Sequence, residues 1–269
     1  MASPARNRIQ NKFASLRESG QKALIPYITP DYPFKGITTD LLRALEEAGA
    51  DLIELGIPFS DPLADGETIQ RSSEFALAQG ANVKSILQSV QEFRVRSSLP
   101  LLMMGYVNPI LHFGLKKFCE SCQSAGVDGL IIPDLPPEES ADLVATCKQS
   151  GLSNVFLIAP TTPEPRIRDI DALSTDFSYC VSVTGVTGAR TQPGGDGSID
   201  EFLLRVKRNT RKPFVVGFGI SKPEHVRRVW NHADGAVVGS SLINVLAGAP
   251  SAHESLRAAS DFLRSLRPS

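Results

Sequence analysis

Gly129-Leu-Ile-Ile-Pro133 and Phe214-Val-Val-Gly217 are apolar runs of strand length that end at proline or glycine. Apolar and polar side chains do not alternate in them, so both faces of each strand should be covered, as in a parallel sheet. Similar runs recur along the chain, and most are followed by a longer segment whose apolar residues have helical spacing. This rhythm predicts repeated strand-helix units.

Eight such runs occur, at residues 23–29, 51–57, 100–106, 129–133, 154–159, 177–183, 213–217 and 235–239. Helical periodicity lies between them, at residues 38–48, 83–97, 111–125, 138–150 and 199–209. The α/β pattern favours a closed (β/α)8 TIM barrel, and a doubly wound open sheet is the main alternative. Ile9, Phe13 and Leu16 share one helical face, which predicts an extra N-terminal helix covering the bottom of the barrel.

The length and charge of the chain restrict its class. Its 269 residues suit one α/β barrel, and no linker marks a second domain, so one TIM-barrel domain over residues 1–269 is expected. The formal net charge is -1, without a block of Lys or Arg, which argues against a nucleic-acid partner. No stretch approaches the ~20 apolar residues that cross a bilayer. A cytoplasmic protein without membrane association is therefore expected.

Several kinds of chemistry find no support in the sequence. The cysteines Cys119, Cys122, Cys147 and Cys180 lack a second ligand pair at zinc spacing and are interpreted as reduced structural thiols. The four histidines fall in helical segments or at their edges, which argues against a metal site or a Ser-His-Asp triad. Strand ends also lack lysine, which argues against Schiff-base chemistry. The sequence therefore predicts no metal site, no Ser-His-Asp triad and no Schiff-base lysine.

Glu54 lies inside an otherwise apolar strand. An ionised carboxylate there would cost several kcal/mol unless it is paired, hydrogen-bonded or protonated. The strand period of two places Leu52, Glu54 and Gly56 on one face, where the small Gly56 leaves room beside the carboxyl group. Two interpretations stay open: a general acid in an active site, or a buried ion pair or hydrogen bond to a neighbouring strand.

Asp65 follows in the next loop, between Ala64 and Gly66. It is expected to be more solvated than Glu54 and to remain ionised, and two carboxylates in unlike environments can divide acid and base work. The alternative is an ordinary turn or helix-capping residue before a helix that starts near Glu67.

Glycine-rich turns follow the last three strands, as TGVTG at residues 184–188, GFGIS at 217–221 and GSS at 239–241. Barrels often bind phosphate at the loops after strands seven and eight, where backbone N–H groups approach an anion closely. The polar, glycine-rich residues 189–197 come next and are interpreted as a lid, with a plain surface loop as the alternative.

These motifs together resemble a known family. ELGIPFSDPLADG at residues 54–66, with GYVNP at 105–109, PDLP at 133–136, GVTG at 185–188 and GFGIS at 217–221, is similar to the tryptophan synthase α subunit. The likeness runs from about Arg8 to Leu246, and its first motif is the most specific. The chain departs from the family pattern at Pro30-Asp31-Tyr32-Pro33 and at Val183-Thr184.

The resemblance implies cleavage of indole-3-glycerol phosphate to indole and glyceraldehyde 3-phosphate without a cofactor. It implies that Glu54 is the general acid/base and that Asp65 binds the indole N–H. The indole and glycerol pocket is assigned to Tyr27, Ile158, Tyr179 and Phe218, and the phosphate cup to the backbone of Gly188, Gly219, Gly239 and Ser240. Thr187 matches a lid residue that positions the catalytic aspartate.

The resemblance also implies a partner. Family members pass indole to a pyridoxal-phosphate-dependent β subunit in an α2β2 complex, and Pro58 and Asp61 match loop residues that face it. Two alternatives remain: a stand-alone lyase that releases free indole, and a catalytically idle barrel that activates a β subunit. Retention of both Glu54 and Asp65 argues against the idle barrel.

Overall fold

The computed structural model describes residues 7–181, 197–217 and 219–268. Within these ranges, parallel strand segments form one sheet. They are β1 (Ala23–Ile28), β2 (Ile53–Gly56), β3 (Leu101–Met104), β4 (Gly129–Ile131), β5 (Ser153–Val155), β6 (Leu157–Ile158), β7 (Ser178–Val181), β8 (Phe214–Gly217) and β9 (Gly235–Val238).

Helix α1 precedes the first strand, and the other helices lie between or after the strands along the chain. They are α1 (Arg8–Glu18), α2 (Thr38–Glu47), α3 (Glu67–Ala78), α4 (Val83–Arg94), α5 (Val107–Phe113), α6 (Leu115–Ala125), α7 (Ala141–Gln149), α8 (Glu164–Leu173), α9 (Gly197–Asn209), α10 (Pro223–Trp230), α11 (Ser240–Ala247) and α12 (Ala252–Leu266). Asn82 and Ser251 cap α4 and α12 by accepting backbone N–H groups, as their positions before helical periodicity favour.

The sheet closes into a barrel through the fifth predicted strand. This strand is divided at Phe156 into β5, which pairs with β4, and β6, which pairs with β7. The Phe156 N–H donates to Ser174 Oγ at 3.1 Å instead of to a strand. Since β5 and β6 are consecutive pieces of one strand, the hydrogen-bonded order closes on itself. The predicted (β/α)8 barrel is confirmed, and the open-sheet alternative is wrong.

Two apolar layers lie on either side of the strands. Inward-facing side chains, such as Ile25, Leu52 and Val215, fill the barrel, and outward-facing ones pack under the helices. The predicted N-terminal helix is present as α1, and Ile9, Phe13 and Leu16 are buried in the inner layer. The ring centroids of Phe13 and Phe177 lie 5.4 Å apart, so α1 covers the lower end of the barrel as predicted.

Aspartates tie the amino ends of the strands together. Asp128 accepts hydrogen bonds from Arg8 Nε at 2.6 Å, Arg94 Nη2 at 2.8 Å and the Leu101 N–H at 2.8 Å. Asp51 accepts from Arg267 Nη2 at 2.6 Å and from the Leu24 N–H at 3.0 Å. These charges are paired and hydrogen-bonded, which is the condition for keeping them out of water.

The helix predicted at residues 111–125 is instead two helices, α5 and α6. Gly114 separates them with φ 92°, a left-handed value that glycine adopts without a Cβ clash. All four cysteines are buried and unpaired. None of the helices in the described ranges is long and apolar enough to span a membrane.

Candidate active site

A cavity of about 190 Å³ opens at the carboxyl ends of the strands. This is the end of a (β/α)8 barrel at which active sites are built. Among the residues singled out in the sequence, Tyr27, Glu54, Asp65, Tyr179, Gly219, Gly239 and Ser240 line it. The two candidate carboxylates therefore face one space.

Glu54 projects into this cavity from β2, level with Tyr27 on β1 and Leu102 on β3. Its side chain is fully buried, and burial raises the pKa of its carboxyl group to about 8. The Tyr179 hydroxyl opposes this rise, but neither carboxyl oxygen reaches a partner of good hydrogen-bond geometry among the described residues. The ion pair that the sequence left open is thus not present there, and Glu54 is a neutral acid at pH 7.

Tyr27 and Tyr179 flank Glu54, and glycines on neighbouring strands make room for them. A Cβ atom on Gly56 would overlap the Tyr27 hydroxyl, and one on Gly217 would overlap the Tyr179 hydroxyl. Burial raises the pKa of both phenols far above the ordinary value, so both hydroxyls stay protonated. The cavity wall next to Glu54 is therefore shaped by two neutral, polar ring edges.

Asp65 lies in the loop between β2 and α3 and is half-buried. Burial raises the pKa of its carboxyl group to about 6, and a hydrogen bond with Tyr106 limits the rise. The same Tyr106 hydroxyl accepts the Ala64 N–H at 2.9 Å. Asp65 is wetter than Glu54, as expected, but less solvated than the sequence suggested. It is mostly ionised at pH 7, whereas Glu54 is mostly protonated.

The opposite side of the cavity offers backbone N–H groups. Helix α11 begins directly after Gly239, no described side chain caps it, and Gly239, Ser240 and Ser241 line the cavity. The first N–H groups of a helix lack internal partners and attract anions. Gly219 lines the same wall with φ 40°, which favours glycine. This arrangement suits a phosphate group.

The structure does not bring every predicted residue to the cavity. Ile158 packs in the outer layer, because Val155 and Leu157 take the inward positions of the same strand. Thr187, Gly188, Phe218 and the proposed lid lie outside the described residues. Of the two predicted interface residues, Pro58 is buried and Asp61 is exposed.

Tyr106 is a contributor that the sequence reasoning did not select, although it is the last residue of the third predicted strand. A search of every strand end for polar side chains would have found it. Ile69 and Met104 also line the cavity and add apolar walls. Within the described ranges, no group of three or more His, Cys, Asp or Glu side chains is arranged to hold a metal ion.

Comparisons with known proteins agree with this geometry. The family model described as "Tryptophan synthase alpha chain" matches residues 13–266. The chain belongs to the tryptophan synthase alpha chain family. As a member of it, the chain is a carbon-carbon lyase that cleaves indole-3-glycerol phosphate to indole and glyceraldehyde 3-phosphate in tryptophan biosynthesis.

Individual relatives match over almost the whole chain. The tryptophan synthase alpha chain of Roseiflexus castenholzii is 50% identical over 262 residues, covering 97% of this chain and 99% of the relative. That of Chlorobium limicola is 47% identical, covering 96% and 99%. Tryptophan synthase subunit alpha from Legionella pneumophila superposes with a TM-score of 0.89 at 37% identity, covering 98% of both chains. A chain of the Pyrococcus furiosus tryptophan synthase complex gives 0.82 at 38% identity, covering 91% and 97%.

Proposed function

We propose that Glu54 is the general acid/base of the cleavage and that Asp65 is its electrostatic partner. The observation that carries this proposal is the pair of unlike carboxyl groups lining one cavity, one fully buried without a hydrogen bond of good geometry to the described residues and one half-buried. Environments that separate two pKa values let two carboxyl groups take different roles, one as a proton donor and the other as a fixed negative charge. Burial raises these pKa values to about 8 and about 6, so opposite protonation states coexist at neutral pH.

The reaction follows from these protonation states. Protonated Glu54 donates its proton to C3 of the indole ring, which becomes a cation. The Glu54 carboxylate then takes the proton of the glycerol hydroxyl next to the ring. The carbon-carbon bond breaks, its electron pair restores the neutral indole, and the hydroxyl carbon becomes the aldehyde of glyceraldehyde 3-phosphate. Glu54 ends protonated, ready for the next turnover.

Asp65 stabilises the intermediate in this scheme. Its ionised carboxylate accepts the indole N–H and offsets the positive charge that develops on the ring. Such fixed charges act strongly where water is excluded. Because the ring itself accepts the electrons, the scheme requires neither a lysine nor a cofactor.

The remaining walls fit the rest of the substrate. Ile69 and Met104 offer apolar contact to the indole ring, and the start of α11 offers N–H groups to the phosphate. We propose that Gly188 and Phe218 complete the pocket and that Thr187 positions Asp65 from the lid. The sequence resemblance supports these three assignments.

We further propose that the chain works in the cytoplasm as the α subunit of an α2β2 complex with a tryptophan synthase β subunit. A related structure describes mutual activation in such a complex from Pyrococcus furiosus. In this chain, Leu63 is 94% exposed in the loop that carries Pro58 and Asp61. The Phe59 ring of that loop packs on Tyr106, with centroids 5.5 Å apart, and Tyr106 supports Asp65. A partner bound at this loop therefore acts close to the site.

The test is indole formation from indole-3-glycerol phosphate by the purified chain, with and without a β subunit. Asp65→Asn should lower kcat about 10²-fold to 10³-fold, in the range of lost electrostatic groups. Glu67→Gln removes an exposed carboxylate two positions away and should leave kcat unchanged. An Asp65→Asn variant with wild-type turnover would exclude the proposed role of Asp65.

The β subunit separates the remaining alternatives. Weak turnover of the isolated chain that rises strongly with β subunit supports the α2β2 assignment. Fast turnover that the β subunit does not change supports a stand-alone lyase. Activation of a β subunit without any indole formation supports an idle partner.

A further inference from the structure

A buried pair of hydroxyl groups joins α3 to the barrel. Thr29, directly after β1, and Ser72, on α3, are 1% and 0% exposed. Their Oγ1 and Oγ atoms lie 2.7 Å apart. A polar pair that is completely removed from water is expensive to break, because each hydroxyl then loses a partner that water cannot replace.

The Ser72 hydroxyl also contacts the start of its own helix. Its Oγ donates to the Ile69 carbonyl at 2.8 Å, while it accepts from Thr29. Ile69 lines the active-site cavity, and its N–H bonds back to the Gly66 carbonyl at 3.0 Å. The hydrogen bonds therefore run without interruption from the end of β1 to the residue that follows Asp65.

The start of α3 has few other restraints. Gly66 is the N-cap residue and provides no side-chain cap. The Asp65 N–H bonds within its own loop, to the Pro62 carbonyl, and the Gln70 side chain bonds to the Asp65 carbonyl. Tyr106 holds the loop from the side of β3. Ser72 is the buried contact that holds the same segment from the side of β1.

We propose that Ser72 is a positioning residue for the cleavage reaction: paired with Thr29, it fixes the first turn of α3 and thereby the place of Asp65 opposite Glu54. This inference rests on the proposed role of Asp65. A displacement of about 1 Å at a reacting site can cost up to ~10²-fold in rate, so one lost buried hydroxyl has a measurable effect.

Ser72→Ala is the first test, and Ser73→Ala is its matched control. Ser73 is the next residue of the same helix and is also buried, but it lies outside the hydroxyl pair. We expect Ser72→Ala to lower kcat about tenfold, with KM within about threefold, since the cavity walls remain. Ser73→Ala should stay within about twofold of wild type. Equal losses in the two variants would show a general packing defect and overturn the proposal.

A double-mutant cycle separates positioning from general stability. Residual indole formation by Asp65→Asn is followed over hours at high chain concentration, with and without Ser72→Ala. If Ser72 acts through Asp65, the tenfold loss shrinks to less than about twofold in the Asp65→Asn background. A full tenfold loss in both backgrounds would overturn the proposal. Asp65→Asn alone, compared with wild type, tests the role of Asp65 itself, so the two failures are distinguishable.

Thr29 gives an independent variant if Ser72→Ala does not fold. Thr29→Val keeps the shape of the side chain but removes the hydroxyl, whereas Thr29→Ser keeps it. We expect Thr29→Val to lose kcat about tenfold and Thr29→Ser to retain it within about threefold. Identical kcat values for the two variants would contradict a role of the hydroxyl pair.

Discussion

At the amino ends of the strands, Asp128 accepts three hydrogen bonds from Arg8, Arg94 and a backbone N–H. At the carboxyl ends, Glu54 is completely buried but accepts no hydrogen bond of good geometry from the described residues. Both carboxyl groups were removed from water during folding. The carboxyl group of Asp128 is paired with two arginines and hydrogen-bonded, whereas burial raises the pKa of Glu54 to about 8 and keeps it mostly neutral at pH 7.

This difference separates two uses of a buried carboxyl group. A carboxylate that is paired and hydrogen-bonded can be buried, and removing it leaves its partners unpaired and destabilises the fold. An unsatisfied one destabilises the folded state at neutral pH and retains a proton that a substrate can take. The lower end of the barrel, at the amino ends of the strands, is therefore expected to govern stability. The upper end, at the carboxyl ends, is expected to govern turnover.

Glu54→Gln should give the largest effect. It removes the proposed acid, so kcat for indole formation should fall about 10²-fold to 10⁴-fold. The free energy of unfolding should rise instead of falling. Between the ordinary pKa of 4.5 and the folded value of about 8, the unfolded wild-type chain is ionised while the folded chain is protonated. The wild-type free energy of unfolding therefore falls as pH rises through this window.

The glutamine variant lacks this titration. Its free energy of unfolding at pH 7 should exceed that of wild type by roughly 2 kcal/mol or more, and its dependence on pH should be flatter. Urea unfolding at several pH values measures both quantities. Full turnover by Glu54→Gln would remove Glu54 from the mechanism.

Asp128→Asn should show the reverse pattern. Arg94, only 10% exposed, would lose its charged partner, and breaking such a pair costs about 3 to 5 kcal/mol of unfolding free energy. The kcat at 25 °C should stay within about twofold, because the cavity lies at the other end of the barrel. Asp142→Asn, at an exposed position of α7, is the control for stability. A loss of kcat without a loss of stability would show that the two ends are not separable.

The sequence predicted much of this contrast. A lone carboxylate in an apolar strand identified Glu54, and the period of two placed it on one face with Leu52 and Gly56, which the structure shows to be the inner face. It was harder to predict which residues of a short apolar strand face inward, because Leu157 and Ile158 are equally apolar. The structure divides this strand at Phe156, and Ile158 faces outward. The hydrogen bond between Asp65 and Tyr106 could not be predicted, since the two residues lie in different loops.

Gly56→Ala tests the packing of the cavity wall at the carboxyl ends of the strands. The new Cβ would overlap the Tyr27 hydroxyl and push the ring into the cavity. Overpacking of this kind costs about 1 to 3 kcal/mol, and we expect kcat/KM to fall about tenfold or more. Tyr27→Phe in the same chain removes the overlapping oxygen and should restore part of the loss. Gly248→Ala, whose Cβ would meet no atom closer than 3.7 Å, should be neutral. A neutral Gly56→Ala would mean that the ring is free to move aside.

The pH dependence of kcat/KM of the free chain should show the smallest effect. Beyond each of two pKa values, kcat/KM should fall about tenfold per pH unit. Below about 6, Asp65 gains a proton and can no longer offset the charge on the ring, so kcat/KM falls. Above about 8, Glu54 loses the proton that it must donate, and kcat/KM falls again. Asp65→Asn should remove the acidic limb and keep the basic one. If both limbs survived in that variant, the acidic limb would not report the protonation of Asp65, and the lower pKa would belong to another group.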